Sequence, residues 1–378
     1  MQKKPIAITT IFLLILWSCL HTGRASGNTR IRSYYGTYDA AARTESSFSA
    51  GLQGPVTEEW QPWHPAKNYH VGVLFPHIKD SYFSTANYGI VSHARKLGIK
   101  ITLYTAGGYN NLGNQRTQLR HLANTDKVDG ILLTSVDFTR MDPYVEEVTQ
   151  AGIPVVALIN DIHAPAISAK IFAPFYDIGY KLAEYVLNDS TSDVVKVAIF
   201  PGPENSEWAT GTYQGFAAAI SALTPPGRKI VLQEPLYGDT RPDVQRLRLD
   251  TLNAEENRDI DYIIGNAVAA VEAVKYLKEN PDIHPGAKIL STYITLTVYD
   301  QIQKGFIKAA PSDQTISQCR IALDMMVRIL EGQQPGKDLP FLAFPEIPLI
   351  TRDNIDRFSF QSLFGEKEFT PVVKEFNF

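Results

Sequence analysis

HVGVLFPHIKDSYFSTANYG, residues 70–89, is the stretch whose reading decides the fold. Val71, Val73, Leu74 and Phe75 make an apolar strand that stops at Pro76, and a polar loop then hands the chain to a helix. Asp80 or Ser81 is the cap, because a short side-chain oxygen can accept from the free N–H groups of a first helical turn. Tyr82 and Phe83 then fall at the helix N-terminus, at the carboxyl end of the strand. In an open parallel α/β sheet that edge is where loops diverge and leave a crevice for a ligand.

The same unit repeats downstream. Strands are predicted over 71–75, 100–105, 130–134, 154–160 and 167–173, with amphipathic runs over 85–97, 111–124 and 139–151 between them. A second series follows: helices over 176–188, 206–222, 242–256, 267–279 and 296–304 alternate with strands over 195–200, 229–236, 262–264, 288–293 and 306–310. Short β-branched strands alternating with helices mean right-handed βαβ units and parallel sheets. Two such series in 378 residues mean two lobes with a cleft between them. The fold class is therefore α/β, with two Rossmann-like lobes of parallel sheet joined by a multi-strand hinge. Helix 313–331 and the tail from 340 follow the second series, so the chain is expected to recross near Pro311 and again near Pro340. The expected division is a 26–68 arm, a first lobe of 69–173 with 311–339, and a second of 174–310 with 340–378. The arm lacks helical or strand periodicity and is expected to pack through Trp60 and Trp63, its start unordered.

Bulk properties exclude several classes. Hydrophobic content of 44% with 20% charged residues is that of an ordinary globular chain, and a net charge of −4 provides no basic field for nucleic acid. Residues 1–25 read as an export signal: Lys3 and Lys4 precede a short apolar run over 6–16, with cleavage after Ala25. The other reading of this segment is lipid attachment at Cys19. Either way the protein is exported. Cys319 lies on an apolar helical stripe with Ile316, Leu323, Met326, Val327 and Leu330, which makes it a buried, inert thiol.

The sequence has no G-x-x-x-x-G-K-[ST], G-x-S-x-G or H-E-x-x-H, and its histidines have no metal-ligand spacing. No enzyme, metal or cofactor is expected. Gly107-Gly108-Tyr109 and Pro201-Gly202-Pro203 follow strands, where topology alone requires a tight turn, and His77 and His163 read as solvated loop residues.

The carboxyl ends of the strands tell more. They deliver Asp80, Tyr82 and Phe83, then Tyr109, then Asn160 and Asp161; the first crossing delivers Phe175 and Tyr176. The second series adds Glu204, Asn205 and Trp208, then Asn266 and Tyr293, and the recrossing adds Ser312, Asp313 and Gln314. Singly, such aromatics pack core and such polar residues cap helices. Together, rings from both lobes converge on one edge with carboxylates among them, which suits a small cationic or strongly dipolar ligand held by ring faces and an oriented acid.

Over about 60–358 the chain resembles the type I periplasmic binding proteins, the LacI/ribose-binding-like family, and within them the branch that senses trimethylamine N-oxide (TMAO) beside a membrane histidine kinase. The matching pieces are Lys79-Asp80-Ser81-Tyr82 with Asn87-Tyr88-Gly89, Ala106-Gly107-Gly108-Tyr109, Pro201-Gly202-Pro203 and, less specifically, Ser312-Asp313-Gln314. The resemblance implies an aromatic cage between hinged lobes, with Asp80, Tyr82, Tyr109 and Tyr293 at matching positions. It departs at Phe83 and Phe175, where that branch has Trp, and in the loop carrying Glu204, Glu207 and Trp208. What it implies is a sensor that reports a methylated amine to a two-component kinase through hinge closure, with Asp80 as the polar anchor. An acid facing a buried N-oxide oxygen must be protonated to donate, whereas one facing a true cation stays ionised. The alternative is a sugar-binding protein of an ABC transporter or chemotaxis system, with Asn160, Asp161, Asn205, Asn266, Asp313 and Gln314 on the hydroxyls.

Overall fold

The computed structural model describes residues 29–44, 48–204, 206–254 and 259–374. The expected export signal, with Cys19, lies outside the described residues, as does Asn205.

The chain opens with two strands, β1 (Thr29–Tyr35) and β2 (Gln53–Trp60), before the repeating units start. Then come β3 (His70–Phe75), α1 (Ser81–Leu97), β4 (Lys100–Thr105), α2 (Leu112–Asn124), β5 (Gly130–Leu133), α3 (Asp142–Gln150), β6 (Val155–Leu158) and β7 (Ala169–Ile171). The second series is α4 (Phe175–Asp189), β8 (Val194–Phe200), α5 (Glu207–Leu223), β9 (Lys229–Leu232), α6 (Pro242–Ala254), β10 (Tyr262–Gly265), α7 (Ala267–Glu279), β11 (Lys288–Ser291), α8 (Leu296–Gln303) and β12 (Ile307–Pro311). The chain ends with α9 (Thr315–Leu330), β13 (Leu342–Pro345), β14 (Leu349–Thr351) and α10 (Phe360–Phe364).

These strands form two sheets. The first runs β2-β1-β13-β7-β6-β5-β3-β4 and the second β14-β12-β11-β10-β8-β9. Strands β13, β7, β6, β5, β3 and β4 are parallel, as are β12, β11, β10, β8 and β9, which is the pattern that crossover helices impose. Val71, Val73, Leu74 and Phe75 of β3 are fully buried, because helices cover both faces of the sheet. The two lobes are joined where β7 gives way to α4, where β12 gives way to α9, and between β13 and β14. At the hinge the Ser312 N–H donates to the Pro348 carbonyl at 2.9 Å, and Gln314 Nε2 donates to the Glu346 carbonyl at 2.6 Å.

The course of the chain departs from expectation at both ends. The arm is part of the first sheet: β1 pairs antiparallel with β13 on one side and β2 on the other. Periodicity could not reveal this, since β2 is mostly exposed and its pairing rests on backbone hydrogen bonds. Trp60 does pack on the body, its indole N–H donating to Asp324 at 3.0 Å, and Trp63 donates to Glu331 at 2.6 Å. The expected return to the second lobe at 340 comes later, because β13 first completes the first sheet and only β14 reaches the second. The tail then crosses back: Phe364 packs edge-on against Tyr299, whereas Tyr88 meets Phe369 and the Lys374 N–H donates to the Leu103 carbonyl.

Helix α9 returns to the first lobe and packs on α1. Cys319 is fully buried there, and burial pushes its thiol up, which keeps it protonated. Helices α4 and α5 approach more closely still, through glycines. A Cβ on Gly179 would lie 1.9 Å from the Thr212 carbonyl oxygen, and one on Gly215 would lie 1.9 Å from that of Tyr176. Gly179→Ala is expected to destabilise by about 1–3 kcal/mol through overpacking. Gly113→Ala, in a helical site with nothing within 4 Å, is expected to stabilise by about 0.5–1 kcal/mol. Thermal unfolding of the two variants checks the opposite signs.

Candidate functional site

The carboxyl edges of the two sheets face each other across a narrow cavity of about 30 Å³. Tyr82, Phe83 and Tyr109 line it from the first lobe and Phe175, Trp208 and Tyr293 from the second, with Asp80, Asn160 and Asp313 among them. His77, Ile159, Ile178 and Thr240 complete the wall.

The first lobe's three rings are positioned by other residues of the wall. Asp80 Oδ1 caps α1, accepting from the N–H groups of Tyr82 at 3.1 Å and Phe83 at 3.3 Å. The other Asp80 oxygen makes no hydrogen bond among the described residues. Gly98, in the left-handed region at φ +68°, closes the far end of the helix. The Tyr82 hydroxyl donates to Asp313 Oδ2, while Thr315 Oγ1 at 3.1 Å and Gln318 Nε2 at 3.0 Å donate to the same carboxylate. Burial pushes the Asp313 carboxyl up against the pull of those donors, and it pushes the Tyr82 hydroxyl well above its ordinary value. Asn160 Nδ2 donates to the Tyr109 hydroxyl at 3.2 Å and to the Ser135 carbonyl at 2.8 Å.

Rings meet across the cleft, Tyr82 with Tyr293 at 5.2 Å between centroids and Tyr109 with Trp208 at 6.1 Å, and Trp208 meets Tyr293 within the second lobe at 6.0 Å. The edge-to-face contacts of Tyr293 with Tyr82 and Trp208 leave other ring faces to line the cavity. Pro201-Gly202-Pro203 turns out to make room for an indole: a Cβ on Gly202, at φ +133°, would lie 2.3 Å from Trp208 Cη2. Two non-glycine residues beside the site are also left-handed, Ile159 at φ +67° and Gln314 at φ +50°, a strain that clusters where a fold must aim side chains.

Several residues singled out in the sequence are used elsewhere. Asp161 is fully enclosed in an ion cluster, accepting from Arg43 Nε at 2.9 Å and Lys170 Nζ at 2.8 Å, and it does not line the cavity. Asn266 caps α7, accepting from the Val268 and Ala269 N–H groups at 3.1 Å. Tyr176 is half-buried in the α4–α5 contact, outside the cavity wall. His77 is a correction in the other direction. Read as a solvated loop residue, it is 4% exposed, with its ring 4.9 Å from Phe83 and 5.6 Å from Tyr109, and burial lowers its pKa so that the neutral ring is favoured. His163 is only half-buried, and its Nδ1 bonds Asp142 at 2.6 Å. Sequence reasoning missed Thr240, Ile159 and Ile178; the first follows a short strand and the others carry no signal distinct from core.

The periplasmic binding protein domain model matches residues 71–334. The chain belongs to the periplasmic binding protein family. Among curated relatives of this family, the periplasmic protein TorT of Escherichia coli K12 is 28% identical over 324 residues, 82% of this chain and 90% of TorT. A solved ABC transporter solute-binding protein from Bradyrhizobium sp. BTAi1, with bound bis-tris, is 29% identical at a TM-score of 0.72, covering 92% of this chain and 98% of that one. TorT in complex with the TorS sensor domain in the presence of TMAO is 25% identical at a TM-score of 0.68, covering 81% of this chain and all of that one.

The Tyr82–Asp313 bond gives a direct check on how the wall is held. Tyr82→Phe leaves one oxygen of a buried carboxylate without its hydroxyl donor and is expected to cost about 1–3 kcal/mol in chemical denaturation. An unchanged midpoint would mean that the pair is not formed in solution.

Proposed function

We propose that this chain is a periplasmic solute-binding sensor that takes TMAO or a related methylated amine between its lobes and reports to a membrane sensor histidine kinase. The observation that carries the reading is the wall itself: six aromatic rings from two lobes with Asp80 and Asp313 among them. A nitrogen centre with no N–H, as in TMAO, has no hydrogen to donate; it is recognised by ring faces at about 0.5–2 kcal/mol each and by charge. A hexose needs the reverse, a ring of planar polar groups aimed inward, and here Asp161 and Asn266 are occupied by other partners.

A relative supports the same ligand class. TorT forms a complex with TorS in the presence of TMAO. Phe83 and Phe175 offer smaller faces than the Trp expected from the resemblance, and Trp208 restores an indole from another direction. Asp80 is the anchor, with one oxygen fixed by its cap and the other available to the ligand. Asp313 is held by Tyr82 and serves the wall.

Export removes residues 1–25, or an acyl chain at Cys19 anchors the mature protein. The moving units are residues 69–173 with 311–339, joined by β1, β2 and β13, against 174–310 with β14. A ligand shifts this pair toward closure only by its preference for the closed state, and the outer surface that changes on closure is what the kinase reads.

Isothermal calorimetry with TMAO as the titrant tests the cage. Tyr109→Ala and Tyr293→Ala are each expected to weaken binding at least fivefold while leaving the circular dichroism spectrum unchanged. Affinities equal to wild type in both variants would remove the cage.

A further inference from the structure

Arg43 lies in the segment before the family domain, which starts at 71. That segment is fixed to the first lobe. β1 pairs with β13, Tyr38 stacks on Phe341 with centroids 5.0 Å apart, and the Tyr38 hydroxyl donates to the His163 carbonyl at 2.7 Å. From this base Arg43 reaches across the cleft. Its guanidinium meets Asp161 of the first lobe at 2.7 Å and Glu207 of the second at 3.0 Å, with the three side chains 0–2% exposed. Lys170 Nζ completes the cluster on Asp161 at 2.8 Å, with no exposure. Glu207 is the first residue of α5, and the next residue is Trp208 in the cavity wall.

We propose that Arg43 is a clasp between the lobes: a positioning residue, supplied from outside the family domain, that favours closure and holds Trp208 in the cavity wall.

Charge is what ties Arg43 to closure. With the lobes together, Arg43 and Lys170 balance Asp161 and Glu207, and a buried carboxylate is tolerated only when paired. Take Arg43 away and closure must bury two carboxylates against one ammonium, so the second carboxylate either takes a proton or stays in water with the lobes apart. The cluster thus rewards closure only while Arg43 is present. Burial already pushes the Glu207 carboxyl to about 7, with Arg43 opposing the shift.

This inference rests on lobe closure in the reading above, but not on the identity of the ligand. The test is small-angle X-ray scattering on the full mature chain, without and with TMAO, alongside calorimetry with TMAO. Arg43→Met is expected to give a larger radius of gyration than wild type in the same buffer, and at least a tenfold weaker affinity. Glu207→Gln is expected to move both readouts the same way by less. The double variant Arg43→Met/Glu207→Met, which removes both charges, is expected to recover compactness relative to Arg43→Met alone, an effect that loss of packing would not produce. If Arg43→Met does not fold, Glu207→Gln and the double variant carry the comparison. Equal compactness of wild type and the single variants, or a double variant as open as Arg43→Met, overturns the clasp. If wild type ignores TMAO while the scattering differences hold, the clasp stands and only the ligand assignment falls.

Discussion

Asp80 closes the first turn of α1 by accepting the N–H groups of Tyr82 and Phe83, and that cap decides where two of the cavity's rings stand. A helix N-terminus presents free donors and partial positive charge, so an acid there is fixed without any help from a ligand. Asp80 also lines the cavity. One residue thus ends a strand–loop, starts a helix, orients two aromatics and offers a charge. Tyr82 passes this order on, through its hydroxyl, to Asp313 at the second crossing between the lobes.

The second lobe is built on a different constraint. Its α4 and α5 touch through backbone at Gly179 and Gly215, so Phe175 at the start of one helix and Trp208 near the start of the other are held close together. Both enter the cavity wall. Facing them, the first lobe's rings are placed by caps and hydrogen bonds. A cleft built this way is rigid on each side, and its adjustable coordinate is the angle between the sides.

Much of this was legible in the sequence because strand–loop–helix repeats are periodic and because Tyr, Phe and Trp at strand ends are few enough to count. The parallel order of both sheets follows from that alternation. What stayed hidden has physical reasons. β2 is the edge strand of the first sheet, with β1 between it and β13, and an edge held mostly by backbone pairing leaves no hydrophobic period. β13 is a four-residue apolar run, and nothing in such a run says which sheet it joins. Asp161 and Asn266 sit at the right places in the topology, yet Arg43 and the first turn of α7 claim them. His77 shows the opposite error, since a loop position says little about burial when two rings fold over it.

The central claim is that the cavity recognises a methylated amine. Thermal unfolding of the mature protein against TMAO, betaine, choline, ribose, galactose and buffer alone tests it most directly. A ligand at about 100 times its Kd stabilises by roughly 2.7 kcal/mol, enough to raise the midpoint by a few degrees in a protein of this size. The account requires a rise with TMAO or another methylated amine and none with the sugars. A rise with ribose or galactose alone would contradict it and turn the rings into stacking platforms for a sugar.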